Sequence, residues 1–222
     1  MIEAMIFDMD GVIADTEPLH ACARNVLLEE FGLDAEKISP TAIGRSKRDF
    51  WSEVTKKYGL KFTADELTKR EFELILEFAE GMGLSAADGL EEVLQALQKN
   101  GVKAAVASSS DRTYVDKILQ ITGLKKYFCA AACGDEVPNA KPAPDVYLKA
   151  LQLCNADAAH AVAVEDSDTG ARAAKAANLF CVGFDAPAEA QCRQQLVVCD
   201  VKIKTMRELL PFAEGTAAVC TA

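Results

Sequence analysis

The sequence has no apolar run long enough to cross a bilayer, so no membrane span is expected. It has no basic N-terminal segment leading to a small-residue cleavage site, and Asp8 interrupts the first apolar run. No signal peptide is therefore expected, and the cytoplasm is the default location. No two of its eight cysteines (22, 129, 133, 154, 181, 192, 199 and 220) have C-x-x-C spacing. Without an export signal this argues against a disulfide scaffold or a structural zinc site. Cys129 and Cys133 fall in an alanine-rich stretch, Cys181 and Cys199 sit beside valines, and all read as small buried hydrophobes. Basic charge is in short supply, 24 Lys and Arg against 34 Asp and Glu, for a net charge of −10. That argues against a non-specific nucleic-acid surface, which needs basic patches. There is no internal repeat and no low-complexity segment. What is there, 222 residues with 50% apolar and 26% charged, suits one good-sized domain or a core domain with a small companion.

The stretch around which the chain is organised is Met5-Ile6-Phe7-Asp8-Met9-Asp10-Gly11-Val12. Alternate side chains of an extended backbone point the same way, so Asp8 and Asp10 emerge side by side where an apolar strand ends. Gly11 lets the chain turn sharply and lets backbone N–H groups approach a ligand. Two crowded carboxylates repel unless a cation neutralises them or one keeps its proton. A divalent oxygen-seeking ion such as Mg²⁺ suits them. A strand ending in a solvated acidic turn would look the same, so the weight of the pair depends on what gathers beside it.

From about Asp15 to Ala86 the pattern is helical. Asp15-Thr16-Glu17-Pro18 opens a helix that runs to Gly32, Arg48 to Tyr58 forms another closed by Gly59, and Thr63-Ala64-Asp65-Glu66 is a capping box before a long third. From Asp88 short apolar strands alternate with helices. Strands are expected at Val102–Ala107, Phe128–Cys133, Ala161–Val164 and Leu179–Val182, after the one that ends at Phe7. That alternation predicts βαβ units and a parallel, Rossmann-like sheet with helices on both faces. The predicted division is an α/β core, 1–14 and 87–222, with a small all-α domain, 15–86, inserted after the first strand. The tail from Gly215 lacks periodicity and is expected to fray.

Ligands of such sheets bind beyond the carboxyl ends of the strands. Asp8 and Asp10, Ser108 to Ser110, Lys141, and Glu165 with Asp166 all fall there, or at the helix start that follows. Acids, one lysine and a serine cluster fit metal-assisted phosphoryl transfer: a carboxylate nucleophile, a carboxyl acid/base, Mg²⁺, and hydroxyl and ammonium donors for the phosphoryl oxygens. Each residue also has a plainer reading: a solvated lysine, serines that merely cap a helix, and an Asp168 that is a surface or capping acid.

Phe7-Asp8-Met9-Asp10-Gly11-Val12, Ala107-Ser108-Ser109, Lys141-Pro142-Ala143-Pro144-Asp145 and Val164-Glu165-Asp166-Ser167 resemble, in order, the four motifs of the haloacid dehalogenase superfamily. The helical insert resembles the cap of its sugar-phosphate phosphatases and β-phosphoglucomutase. The resemblance implies Asp8 as nucleophile and Asp10 as general acid/base, with Ser108 holding the transferring phosphoryl group and Lys141 neutralising charge beside it. Asp166, Asp8 and the Asp10 carbonyl would ligate Mg²⁺, with Glu165 in support directly or through water. Gly11, Ser109 and Ser110 would line the substrate site. The acid at position 10 favours C–O–P chemistry over dehalogenation. In the cap, Thr16 and His20 match positions that hold the acid/base aspartate in mutase-like relatives, although a partly buried histidine is the plainer reading of His20. Gly44-Arg45-Ser46-Lys47-Arg48-Asp49 resembles their substrate-facing loop, with Lys47 where the mutase has an arginine, and Arg70 aligns with a second cationic residue. Lysine cannot make the bidentate fork of an arginine, which tilts the expectation from isomerase to phosphatase. Trp51 reads as cap core rather than as a stacking platform. The expected protein is a Mg²⁺-dependent phosphatase of a small phosphorylated metabolite, a sugar phosphate in the first place, working as a monomer or small homo-oligomer without nucleic acid or membrane. The alternatives are a β-phosphoglucomutase-like isomerase and, remotely, a non-catalytic binding module.

Overall fold

The first strand sits at the centre of the sheet and has no exposed residue, because both its faces and both its edges are covered. The computed structural model describes residues 2–42, 45–185 and 194–217; Gly44, Cys192, Cys220 and the tail beyond Ala217 lie outside the described residues. In chain order the elements are β1 (Ala4–Phe7), α1 (Glu17–Glu30), α2 (Ala35–Ile38), α3 (Lys47–Tyr58), α4 (Ala64–Met82), α5 (Leu90–Lys99), β2 (Lys103–Ala107) and α6 (Arg112–Ile121). They continue with β3 (Phe128–Ala132), α7 (Asp145–Cys154), β4 (Ala161–Glu165), α8 (Asp168–Ala176), β5 (Phe180–Phe184), β6 (Val201–Ile203) and α9 (Leu210–Ala213). The chain packs as two compact units, Met1–Asp15 with Ser85–Ala222, and Thr16–Leu84.

In the α/β unit the six strands are parallel in the order β3-β2-β1-β4-β5-β6. Strand order reverses at β1 and β4, the position at which such sheets open a crevice for ligands. Small residues dominate one face: Ala4, Ala105, Ala107, Ala161, Ala163 and Cys181 pack with Ile6 against α7 and α8. The alternating Met5, Phe7, Val106, Val162, Val164 and Val182 point the other way and are equally buried, and α5 packs against β2. This is the expected parallel sheet with helices around it. Two elements were not expected. β6 adds a three-residue edge strand, and α9 follows it. The start of the tail is also held rather than frayed, since the N–H groups of Thr216 and Ala217 donate to the Pro211 carbonyl at 2.9 and 3.0 Å.

The helical unit is built on α4, against which α1 and α3 pack. Its N-terminus is capped reciprocally as expected: Glu66 N–H donates to Thr63 Oγ1 at 3.2 Å, and Thr63 N–H donates to Glu66 Oε2 at 2.8 Å. Gly59 closes α3 in a left-handed conformation. Trp51 is fully buried, as expected of core. Among the described residues no helix is long and apolar enough to cross a membrane.

Candidate active site

β1 extends by one hydrogen bond beyond its last residue, from Asp8 N–H to the Val164 carbonyl at 2.9 Å, so Asp8 leaves the sheet beside the end of β4. Gly11 follows with φ +80°, and a Cβ there would run into the Asp166 carboxylate. A glycine is what allows the turn after β1 and the carboxylate after β4 to share this space. β4 ends in Glu165, which is fully buried. A Cβ on Gly170, in the first turn of α8, would overlap the Glu165 carboxylate. Ser167 caps α8 by accepting from Gly170 N–H at 3.0 Å, and its hydroxyl donates to Glu165 Oε2 at 3.2 Å. Ser167, not Asp168, is thus the capping residue. The serine lies in extended backbone ahead of the helix and takes the bond, while Asp168 is already inside the first turn.

Lys141 ties these ends together. Its ammonium donates to Asp8 Oδ1 at 2.6 Å, to Glu165 Oε1 at 2.6 Å and to the Ala107 carbonyl at 3.0 Å. Its side chain is 6% exposed, so it is not a solvated surface lysine. It precedes a cis peptide bond to Pro142. Tyr147, from α7, lies beneath it, with Nζ 5.0 Å from the ring centroid, and donates its hydroxyl to Glu165 Oε1 at 2.6 Å.

One cation does not balance three acids. Carboxylate oxygens of Asp8, Glu165 and Asp166 all lie within 4.8 Å of one another. Burial raises the Asp8 pKa to about 7 against the attraction of Lys141, with Glu165 and Asp10 adding to the rise. Burial, then the charges of Asp8 and Glu165, also hold Asp166 well above the usual carboxylate range. Lys141 stays charged, because Asp8 and Glu165 more than offset its own desolvation. The cluster therefore has room for further positive charge, and its donors are hard oxygens, which suits Mg²⁺. The three acids are not equivalent. Both Glu165 oxygens are engaged, by Lys141, Tyr147 and Ser167. Asp166 accepts no hydrogen bond among the described residues. Asp8 Oδ2 and Asp166 are the side-chain groups left to hold an ion, with Glu165 fixing the scaffold around them.

The Asp10 carboxylate is held by a different set of donors. Its Oδ1 accepts from the Tyr114 hydroxyl at 2.8 Å and its Oδ2 from the Ser110 hydroxyl at 3.3 Å. A metal contact from Asp10 is thus left to its backbone carbonyl. Asp111 caps α6 by accepting from Tyr114 N–H at 2.9 Å, so the preceding serines are not its cap. Ser108 is buried, and its Oγ accepts from Ser110 N–H at 3.0 Å, leaving its own proton to donate. Ser109 is exposed. Arg112 fixes the loops after β2 and β3 by donating to Glu136 Oε1 at 2.8 and 2.9 Å and to the Ala131 carbonyl at 2.6 Å.

The α/β unit thus gathers Asp8, Asp10, Gly11, Ser108, Ser110, Lys141, Glu165 and Asp166. Thr16, His20, Lys47 and Arg70 belong to the helical unit. Thr16 occupies the N-cap position of α1 with no side-chain bond to the helix start. His20 is buried, 3% exposed, and its Nδ1 lies 3.9 Å from Glu71 Oε1. Lys47 opens α3, with Nζ 4.8 Å from the Phe72 ring centroid. Arg70 is half exposed and pairs on its own helix with Glu73 and Glu77 at 3.4 and 3.8 Å. Sequence reading missed Tyr114 and Tyr147, since an aromatic at helical spacing looks like core. It also reads Cys129, Cys133, Cys181 and Cys199 as buried. Cys133 and Cys181 are and Cys199 is half-buried, but Cys129 is exposed because it falls on the edge strand β3.

The model of the haloacid dehalogenase-like hydrolases matches residues 5–184. The chain is 32% identical over 179 residues to the phosphorylated carbohydrates phosphatase of Thermotoga maritima, covering 80% of this chain and 82% of that one. It is 33% identical over 186 residues to the protein Suppressor of Quenching 1, chloroplastic, of Arabidopsis thaliana; the match takes in 82% of this chain but spans only 18% of that protein's length. In structure it resembles CbbY from Rhodobacter sphaeroides in complex with phosphate, with a TM-score of 0.80 and 25% identity over 94% of this chain and 96% of that one. The strand-end acids, the lysine between them and the match over most of the chain lead to one conclusion: this protein belongs to the haloacid dehalogenase-like hydrolases.

Proposed function

We propose that the protein is a Mg²⁺-dependent phosphatase that hydrolyses a small phosphorylated metabolite, a sugar phosphate in the first place, through a phosphoryl group carried on Asp8. The observation that carries this reading is the Lys141 ammonium, held at 2.6 Å from both Asp8 and Glu165 inside a cluster of three acids. Lys141 orients the Asp8 carboxylate through Oδ1, the oxygen that attacks phosphorus, and leaves Oδ2 to the ion. The new Asp8–phosphorus bond forms as the ester oxygen departs with its electron pair. The Asp10 carboxyl gives that oxygen its proton and later takes one from the water that releases phosphate. The Ser108 hydroxyl and Lys141 serve as donors to the phosphoryl oxygens. Mg²⁺, held by Asp8, Asp166 and the Asp10 carbonyl, would supply positive charge against the phosphoryl oxygens.

The sugar-phosphate assignment is supported by the name of the Thermotoga maritima relative, a phosphorylated carbohydrates phosphatase. We take residues 16–84 as the cap that reads the leaving group, on the strength of its Thr16, His20, Lys47 and Arg70. The test is phosphate release with Mg²⁺ from a panel of sugar phosphates, beside conversion of β-glucose 1-phosphate to glucose 6-phosphate with trace bisphosphate. Release that is lost in Asp8→Asn is the expected result. Isomerisation with little release would replace the phosphatase by the mutase, and turnover surviving in Asp8→Asn would overturn both.

A further inference from the structure

Tyr114 is 1% exposed on α6, among Val115, Ile118 and Leu119, and by sequence it is one more core aromatic. Its hydroxyl is not spent on the core. It reaches 104 positions back along the chain to Asp10 Oδ1 at 2.8 Å. The Ser110 hydroxyl takes the other oxygen at 3.3 Å. Each donor is itself fixed. Tyr114 N–H is held by the Asp111 cap at 2.9 Å, and Ser110 N–H by Ser108 Oγ at 3.0 Å. Each carboxylate oxygen of Asp10 thus accepts a hydroxyl from the loop and first turn that follow β2.

We propose that Tyr114 is a positioning residue for Asp10: its phenol, together with the Ser110 hydroxyl, holds the carboxyl group in the orientation from which it protonates the departing alkoxide. This rests on the phosphatase reading above. When the ester P–O bond breaks, its electron pair stays on the leaving oxygen, the Asp10 proton moves there, and Asp10 becomes a carboxylate. Hydrogen bonds to an ionised acceptor are stronger than those to a neutral one, so the two donors hold Asp10 more firmly as it loses its proton. The arrangement also explains why a tyrosine rather than a phenylalanine fills a buried position on α6, since a buried hydroxyl without a partner is costly.

The need for a proton depends on the leaving group. An alkoxide departs poorly without one, while p-nitrophenolate is stable enough to leave unprotonated. The second-order constant kcat/KM counts only steps up to the first irreversible one, so phosphate release from Asp8 does not mask the difference. The experiment compares wild type, Tyr114→Phe, Ser110→Ala and Asp10→Asn, with Mg²⁺, on p-nitrophenyl phosphate and on the sugar phosphate turned over fastest. In Tyr114→Phe the sugar phosphate should lose about tenfold or more in kcat/KM, and p-nitrophenyl phosphate less than about threefold, the signature of a lost hydrogen bond to a general acid. Ser110→Ala removes the other donor and should show the same selectivity, which covers the case in which the tyrosine variant does not fold. Equal losses on both esters, or none on either, in the folded variants would overturn the proposal. If Asp10→Asn itself shows no selectivity, the acid role of Asp10 falls, and this proposal with it. If Asp10→Asn is selective while Tyr114→Phe and Ser110→Ala are not, only the role of Tyr114 and its partner serine falls.

Discussion

Each of the two units buries a carboxylate completely, and the two are handled in opposite ways. In the α/β unit both oxygens of Glu165 are hydrogen-bonded: Lys141 and Tyr147 on one at 2.6 Å each, and Ser167 on the other at 3.2 Å. In the helical unit Glu71 is just as buried, but only its Oε2 is bonded, by the Trp51 indole at 2.6 Å. Its Oε1 has no hydrogen-bond partner among the described residues and faces Arg24 at 3.6 Å and His20 at 3.9 Å. Arg24 in turn donates to Ser39 at 3.2 Å. A carboxylate bonded at both oxygens has one orientation and can serve as the fixed wall of a reaction site. A carboxylate with one oxygen held only by charge joins α1, α3 and α4 without fixing any group to a fraction of an ångström. Buried charge is pinned at both oxygens in one unit and assembles helices in the other.

Substitutions on each side should separate these roles. The largest effect is expected from Lys141→Met, which strips the shared cation from Asp8 and Glu165. Turnover should fall on the order of 10³-fold or more, and because a buried pair is broken, stability should fall by about 3–5 kcal/mol, read by urea unfolding. Activity kept within tenfold would place the lysine outside the chemistry. Glu71→Ala should cost a similar about 3–5 kcal/mol, since it removes the acceptor of the buried Trp51 indole and leaves the buried Arg24 only Glu17 at 3.8 Å and Ser39, while kcat on p-nitrophenyl phosphate, measured well below the melting temperature, stays within about threefold. If kcat collapses there, the contrast between the units is wrong.

A smaller effect is expected from the ion. Mg²⁺ at about a hundred times its dissociation constant should stabilise the wild type by about 2.7 kcal/mol in a thermal melt. Asp166→Asn, which removes a carboxylate that accepts no hydrogen bond among the described residues, should abolish that gain, whereas Glu71→Ala should keep it. A shift that survives Asp166→Asn would move the ion site elsewhere. The smallest effect is at the reciprocal cap of α4. Thr63→Ala should cost about 1 kcal/mol and leave turnover unchanged, and a loss of turnover would show that α4 does more than pack.

The same contrast explains what could be read from the chain alone. In the α/β unit the acids and the lysine are polar residues that interrupt short apolar strands, and parallel topology sends all such interruptions to one edge. Asp8, Asp10, Lys141, Glu165 and Asp166 were therefore legible as a group before any coordinate. β6 was not, because three residues at a sheet edge, two of them exposed, carry no alternation to detect. The capping box at Thr63 was legible because both partners are local. Trp51 with Glu71, Tyr147 with Glu165 and Tyr114 with Asp10 were not, since their hydrogen bonds span 20, 18 and 104 positions. Aromatic rings advertise burial, and nothing in helical spacing tells where the polar atom at the end of the ring will point. The cysteines failed for a related reason. Alanine-rich surroundings suggest burial, but Cys129 lies on an edge strand with one open side.

The central claim is that Asp8 carries the phosphoryl group. The direct measurement is mass spectrometry of the protein quenched in acid within milliseconds of mixing with Mg²⁺ and the sugar phosphate turned over fastest. The account predicts a phosphoryl adduct on the peptide that contains Asp8, chased away by water with time and missing from Asp8→Asn. Turnover with no adduct on that peptide at any time, or an adduct that persists in Asp8→Asn, would contradict it.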